Sequence, residues 1–222
     1  MVHATLGHMP PPLSLMQWVQ GDSVSLQGLI GQVVLIEVFQ VNCPGCFLYS
    51  LPQAIDLHNR YASQGLAVLG IATAFEDFDK NTLDNLKALL ENGHVVGETY
   101  KALSEKGQLI EDCWPQRIPF PVAMDSLIKN DLPVSEARVD HYIQAHLPEF
   151  FHQPSAYQQQ LKQRVVNYLQ QQQYTPQTFN GFALQGTPSH ILIDQHGKLR
   201  HCTFGFFPEL ELRIQQLLAE RF

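Results

Sequence analysis

The sequence is short of charge, and of positive charge in particular. Charged residues make up 16% of the 222 residues, and 14 Lys and Arg stand against 21 Asp and Glu, which gives a net charge of −7 with neutral histidines. A protein that wraps a nucleic acid needs a basic surface to neutralise phosphates. The composition therefore argues against a nucleic-acid partner. The hydrophobic fraction of 45% is too high for a disordered chain and predicts a folded core.

Long hydrophobic runs are missing as well. No uninterrupted apolar stretch reaches the roughly eighteen residues that would indicate a transmembrane helix. Residues 1–12 contain neither a basic region nor a continuous apolar stretch of the kind that a secretory signal needs. We therefore predict a cytoplasmic protein that has no membrane partner.

Cysteine is also scarce, with 4 residues in the whole chain. So few cysteines do not make the disulfide-rich framework of a small secreted protein. Two of the four nevertheless stand close together, as Cys43-Pro44-Gly45-Cys46. In a reducing compartment, such a pair indicates redox chemistry or a metal rather than a structural bond.

The segment around this pair has the pattern of a strand, a helix and a second strand. Residues 33–39 and 66–72 are apolar runs typical of strands buried on both faces. Apolar residues recur at near-helical spacing between them, with Pro52 as the expected position of a kink. Connections of this kind between parallel strands are right-handed. This unit predicts an α/β fold with helices against a central sheet.

Further predicted elements follow this unit along the chain. The pattern predicts a helix over 82–91, a strand over 120–124 that ends at Asp125, a hairpin of 189–193 with 198–204, and a final helix opened by Pro208. The hairpin requires antiparallel pairing, so the sheet is expected to be mixed.

Residues 126–182 contain no convincing strand. Val139, Ile143 and Leu147 fit one helical stripe, whereas Tyr157, Leu161, Val165 and Tyr168 fit another. We predict a helical insertion here, within a single domain that spans residues 1–222.

The position of the cysteine pair, after a strand and at the start of a helix, has an electrostatic consequence. The positive end of the helix stabilises a thiolate over a thiol, and cysteines so placed have pKa values lowered from about 8.5 to between about 3.5 and 7.5. Cys43 is therefore the candidate nucleophile. Cys46, one helical turn further on, is the candidate resolving thiol.

A metal site and inert thiols are the alternatives for this pair. A structural metal needs two further ligands. His201 and Cys202 are adjacent on a predicted strand, so they should point to opposite faces. His196 and His201 have a suitable spacing but lie far along the chain from the pair. We therefore expect no metal and no cofactor.

Two motifs in this order resemble a known family. The strand before Cys43-Pro44-Gly45-Cys46 with the helix after it, together with residues 186–200, looks like the thioredoxin fold. More narrowly, the two motifs resemble its TlpA-like and AhpC/TSA-type redoxin branch. The resemblance covers about 25–125 and 183–222 and leaves the predicted insertion unmatched.

The resemblance implies roles for further residues. Thr187-Pro188 is similar to the cis-proline element that faces the dithiol and presents backbone to an incoming chain. With Pro44 and Gly45, these residues would bind substrate. Glu37, six residues before Cys43, is similar to the buried acid that accepts a proton from the resolving thiol. One departure is Asn42, because relatives commonly have Trp before the first cysteine.

Three functions remain open at this stage. The first is a thiol-disulfide oxidoreductase that reduces protein or small-molecule disulfides and is recycled by a thiol reductant. The second is a redoxin-type thiol peroxidase, although neither Cys43 nor Cys46 has the hydroxyl residue three positions earlier that peroxiredoxins carry. The third is a non-enzymatic module in which the dithiol acts as a sensor and the insertion binds a partner.

Overall fold

A computed structural model describes residues 3–131 and 133–220. The strands are β1 (Leu15–Gln20), β2 (Val33–Phe39), β3 (Leu66–Ala72), β4 (Val122–Asp125), β5 (Leu127–Lys129), β6 (Tyr174–Pro176), β7 (Ser189–Ile193) and β8 (Leu199–Phe204). The helices are α1 (Leu51–Tyr61), α2 (Leu83–Asn92), α3 (Gly97–Glu105), α4 (Glu136–His146), α5 (Ser155–Gln171), α6 (Gln177–Gly181) and α7 (Leu210–Ala219). Short 3-10 helices cover Gln27–Leu29, Ala62–Gln64 and Pro148–His152.

Six strands form the main sheet, in the order β1-β4-β3-β2-β7-β8. Strands β2, β3 and β4 are parallel, whereas β1, β7 and β8 pair antiparallel to their neighbours. The predicted α/β fold with a mixed sheet is confirmed. Strands β2 and β3 begin and end at the predicted residues, which follows from their being the most continuous apolar runs in the chain.

Both faces of the central strand β2 are buried, because its side chains alternate between two hydrophobic clusters. Val33, Leu35 and Phe39 lie in the cluster that contains both cysteines of the pair and the apolar faces of α1 and α7. Val34, Ile36 and Val38 lie in the opposite cluster. Glu37 has the parity of the first group and therefore lies on the face that carries the cysteine pair.

The helix that follows the cysteine pair is irregular just before Pro52. Residues 44 and 45 are already helical, Cys46–Ser50 form a π-helical turn, and α1 begins at Leu51. Pro52 thus stands in the first turn of α1, just after the π-helical turn. Prolines and π-helical turns are both common sites of helix bending, and the kink expected at Pro52 stays a prediction.

Residues 128–175 form a separate compact unit. Within it, the buried residues are Val139, Ile143, Phe150, Val165 and Leu169. Of the two stripes predicted here, the first is largely confirmed, but the second is wrong in part: Tyr157 and Tyr168 are 45% and 44% exposed. The stripe of α5 instead runs through Leu161, Val165 and Leu169, since aromatic rings with a polar tip tolerate the surface. The expectation of no strand over residues 126–182 is wrong, because β5 and β6 form a two-stranded sheet there. With three residues each, they are too short to give a recognisable alternation in the sequence.

Asp125 closes the sheet at the end of β4. It is fully buried, and its carboxylate accepts hydrogen bonds from Thr73 Oγ1 at 2.8 Å and from the backbone N–H groups of Thr178 and Phe179 at 2.8 and 3.1 Å. Burial raises the pKa of Asp125, although these donors partly oppose the shift. One carboxylate therefore joins the ends of β3 and β4 to the start of α6.

We predict that Asp125→Ala lowers the free energy of unfolding by about 2–4 kcal/mol, because two backbone donors are left buried without an acceptor. Urea denaturation monitored by circular dichroism measures the change. Asp79→Ala is the control, because the Asp79 side chain is 74% exposed and its loss should change the stability by less than about 0.5 kcal/mol. Equal effects of the two substitutions would contradict the structural role of Asp125.

Candidate active site

The dithiol lies at the start of the helix that follows β2. Cys43 precedes the first helical residue, Pro44, and proline is favoured at that position because its fixed φ suits the helix and its missing N–H has no partner to lose. Cys43 and Cys46 are joined by a disulfide, with their Cα atoms 5.4 Å apart. The predicted pair therefore meets the geometry of a reversible disulfide.

The two sulfurs differ in exposure and in surroundings. Cys43 is 8% exposed, whereas Cys46 is fully buried. The backbone N–H of Cys46 points at the Cys43 sulfur, 3.3 Å away. A backbone donor and the positive helix end both favour a thiolate at Cys43. This arrangement suits Cys43 as the attacking sulfur and Cys46 as the internal one.

A cleft of about 390 Å³ opens beside Cys43. Four of the residues predicted for the site line it: Cys43, Pro44, Gly45 and Thr187. The Thr187–Pro188 peptide bond is cis, and a Cβ added to Gly45 would lie 3.7 Å from Pro188 Cδ. The cysteine loop and the proline loop, more than 140 positions apart in sequence, thus pack against each other.

Phe204 forms one wall of the cleft from β8. Its ring covers Gly186, where an added Cβ would overlap the ring carbons. The Phe204 side chain is nevertheless 55% exposed. The cleft therefore presents both a sulfur and an aromatic surface to an incoming molecule.

Comparisons with known proteins place this geometry in a family. No family model matches the sequence, and no curated protein matches it. Among solved structures, a thiol-disulfide isomerase from Corynebacterium glutamicum is 26% identical with a TM-score of 0.59, and the match covers 98% of each chain. A crystal structure described as a thioredoxin-like superfamily protein is 27% identical with a TM-score of 0.58, covering 96% of this chain and 97% of its own.

The chain belongs to the thioredoxin-like superfamily. A third structure, the thioredoxin domain of a thiol-disulfide oxidoreductase from Bacteroides vulgatus, shares the fold at 14% identity and a TM-score of 0.50.

Glu37 in this thioredoxin-like protein is buried as predicted from the resemblance, but it has a partner that the sequence analysis missed. His190, directly opposite on β7, is 1% exposed, and its Nδ1 lies 2.7 Å from Glu37 Oε2. The signal was a single histidine within the apolar run 189–193. Only the antiparallel register of β2 and β7, which a sequence does not reveal, shows that the two face each other.

The charge of this pair depends on pH through His190. Burial alone would lower the pKa of His190, but the charge and hydrogen bond of Glu37 outweigh it, with help from the Gly205 carbonyl, and the pKa lies above its ordinary value. His190 Nε2 lies 3.1 Å from that carbonyl oxygen.

Asn42, the residue that departs from the family pattern, holds the loop before Cys43. Its side-chain amide donates to Asp77 Oδ2 at 2.7 Å, and its Oδ1 accepts the backbone N–H of Glu98 at 2.7 Å in the first turn of α3. Asn42 therefore caps a helix that has no side-chain cap of its own. Gly97 beside it has φ +56°, and a Cβ there would overlap Asn42 Oδ1.

Among residues 3–131 and 133–220, no three His, Cys, Asp or Glu side chains are placed to hold a metal ion. In that same part of the chain, no helix has the length and apolar character to cross a membrane. Cys202 lies outside the pair, at an exposed position of β8.

We predict that Asn42→Ala lowers the free energy of unfolding by about 1–3 kcal/mol, because the helix cap and a hydrogen bond to a carboxylate are lost. Urea denaturation of the oxidised protein measures the change. Asn59→Ala, at an exposed position of α1, is the matched control and should change the stability by less than about 0.5 kcal/mol. A loss as small for Asn42 as for Asn59 would show that the loop does not depend on this amide.

We also predict a pH dependence of stability that comes from His190. Since its pKa is raised on folding, its contribution is fully present below its ordinary value of 6.5 and is lost as the pH rises through the folded-state value. The difference in unfolding free energy between the wild type and His190→Asn, measured between pH 6 and about 9, should therefore shrink as the pH rises. A difference that stays constant over this range would contradict the prediction.

Proposed function

We propose that this protein is a thiol-disulfide oxidoreductase that reduces disulfides in protein or small-molecule substrates and is recycled by a thiol reductant. The observation that carries the proposal is the disulfide between an accessible Cys43 at a helix start and a buried Cys46. The likeness to a protein described as a thiol-disulfide isomerase supports the same class of chemistry.

The proposed reaction has two steps. The Cys43 thiolate attacks one substrate sulfur, and a mixed disulfide forms while the other substrate sulfur leaves as a thiolate. Cys46 then gives up its proton to Glu37 and attacks Cys43, which releases the second substrate thiol and restores the disulfide of the protein. The burial of Cys46 confines it to the second step.

The residues around the cleft would bind the substrate. Thr187 lines the cleft beside Cys43, and the backbone of Thr187 and Pro188 would accept a substrate chain through hydrogen bonds. Pro44 and Gly45 line the same cleft.

A cytoplasmic location and the reducing direction stay predictions, and the reduction potential of the Cys43–Cys46 couple tests the direction. Equilibration with glutathione buffers, followed by quantification of the free thiols, measures that potential. A value more negative than the glutathione poise supports reduction, whereas a value well above it supports oxidation of substrates.

We predict that Cys43→Ser abolishes the acceleration that the protein gives to the reduction of insulin by dithiothreitol. Cys46→Ser should still form a mixed disulfide but turn over about tenfold or more slowly than the wild type, because only external dithiothreitol can then resolve that disulfide. The turbidity of the precipitating insulin chains measures the rate, and mass spectrometry detects the trapped adduct.

Cys202→Ser is the matched control, since it removes a thiol outside the pair, and it should retain wild-type turnover. Wild-type activity in Cys43→Ser would overturn the proposed mechanism.

A further inference from the structure

His190 is a buried titratable group to which the two-step reaction assigns no part. It lies on β7 opposite Glu37 of β2, and both side chains are at most 1% exposed. Burying two ionisable groups costs free energy unless they form a hydrogen-bonded pair with each other. The positions of the protons on His190 and Glu37 indicate the role of the pair.

The number of protons follows from the two contacts of the imidazole. The Gly205 carbonyl, 3.1 Å from Nε2, can only accept, so Nε2 carries a hydrogen. The contact of 2.7 Å between Nδ1 and Glu37 Oε2 also needs a hydrogen, because two lone pairs would otherwise face each other. The pair therefore holds one shared proton and has no net charge.

The two carboxylate oxygens of Glu37 therefore have different surroundings. Oε2 is engaged by His190, whereas Oε1 is buried and has no hydrogen-bond partner among the residues that the structure describes. Glu37 lies on the face of the sheet that carries Cys46. Oε1 is thus the carboxylate oxygen that His190 does not engage.

The dithiol and a second histidine share the sheet face of the pair. On the same face, the α1 side contributes Cys43 and Cys46, and β8 contributes His201. Burial and then the charges of Arg213 on α7 and Arg200 lower the pKa of His201. His201 therefore adds no positive charge near neutral pH.

We propose that His190 is a positioning residue that holds Glu37 through Oε2 and so keeps Oε1 ready to receive the proton of Cys46. The proposal rests on the thiol-disulfide exchange proposed above. It concerns the second step alone, because Cys43 obtains its thiolate from the helix start rather than from Glu37.

The second step transfers one proton and exchanges one disulfide bond for another. The Cys46 S–H proton moves to Oε1, and the resulting thiolate attacks the Cys43 sulfur. The Cys43–Cys46 bond forms as the bond between Cys43 and the substrate breaks, and the substrate sulfur leaves with the electron pair and is protonated by solvent. Glu37 later releases its proton to solvent.

Without His190 this base would be lost. A buried carboxylate that has neither a donor nor a positive partner takes up a proton from solvent and stays a neutral acid at neutral pH. It could then accept nothing from Cys46, and the second step would wait for a higher pH.

Stopped-flow reaction of the reduced protein with dithiobisnitrobenzoate separates the two steps when every variant also carries Cys113→Ser and Cys202→Ser, which remove the two cysteines outside the pair. Attack by Cys43 releases one coloured thiolate, and attack by Cys46 on the mixed disulfide releases a second. In His190→Leu we expect the first phase to change by less than about twofold. The second phase should slow by about tenfold or more at pH 7, and its pH profile should move to higher pH.

His190→Asn is the matched variant, because its amide can still donate an N–H toward Oε2 but carries no charge. It should recover most of the second-phase rate that His190→Leu loses. Adding Glu37→Gln to either variant should slow the second phase no further than Glu37→Gln alone, since both act through the same carboxylate.

The outcomes separate this proposal from the function on which it rests. Equal slowing of both phases, unchanged phases, or identical behaviour of the Leu and Asn variants would overturn the role of His190 while leaving thiol-disulfide exchange intact. Two-phase release that persists in Cys43→Ser would overturn the exchange itself. If His190→Leu does not fold, His190→Phe, which also lacks a donor, takes its place in the same comparison: a slowed second phase that His190→Asn restores supports the role, and an unslowed second phase refutes it.

Discussion

The whole site depends on the burial of β2 on both faces. Every side chain of Val33–Phe39 is buried, so the strand cannot slide in register or rotate without exposing apolar surface. The end of β2 therefore has a fixed position and direction, and Cys43 follows Phe39 by four residues. A reactive sulfur needs this precision, because thiolate attack on a disulfide depends on access and alignment. The core thus fixes the position of the chemistry.

Burial also explains why the only charged residue in β2 is paired. An isolated carboxylate in this layer would be strongly disfavoured, yet Glu37 stands between Leu35 and Phe39 on the dithiol face. The partner on β7 makes its presence possible, and Gly205 fixes the orientation of that partner. The same logic applies to Asn42 and Asp125, each of which satisfies backbone donors of a helix start. Polar groups in this core are few, and each of these three engages specific partners.

The sequence was sufficient for those features that depend on local patterns. The apolar runs of β2 and β3 and the spacing of the cysteine pair are local, and they predicted the α/β class and the dithiol. Strand β1 and helix α3 escaped prediction because their apolar residues are few and irregular, so tertiary packing rather than periodicity determines them. His190 escaped because it requires knowledge of which strands are neighbours. The sequence shows Asn42 as a departure from the family pattern, but the two residues that its side chain hydrogen-bonds lie 35 and 56 positions away.

The complete burial of Cys46 imposes an order of events on any exchange. In the proposed exchange, molecules from outside would reach the Cys43 sulfur only, so electrons would enter and leave the protein through Cys43 in either direction. A second molecule could not compete for the sulfur of Cys46, and oxidants that consume a free thiol would be kept from it. The Cys46 thiol would then react with Cys43 alone, and the protein would be joined to one substrate molecule at a time.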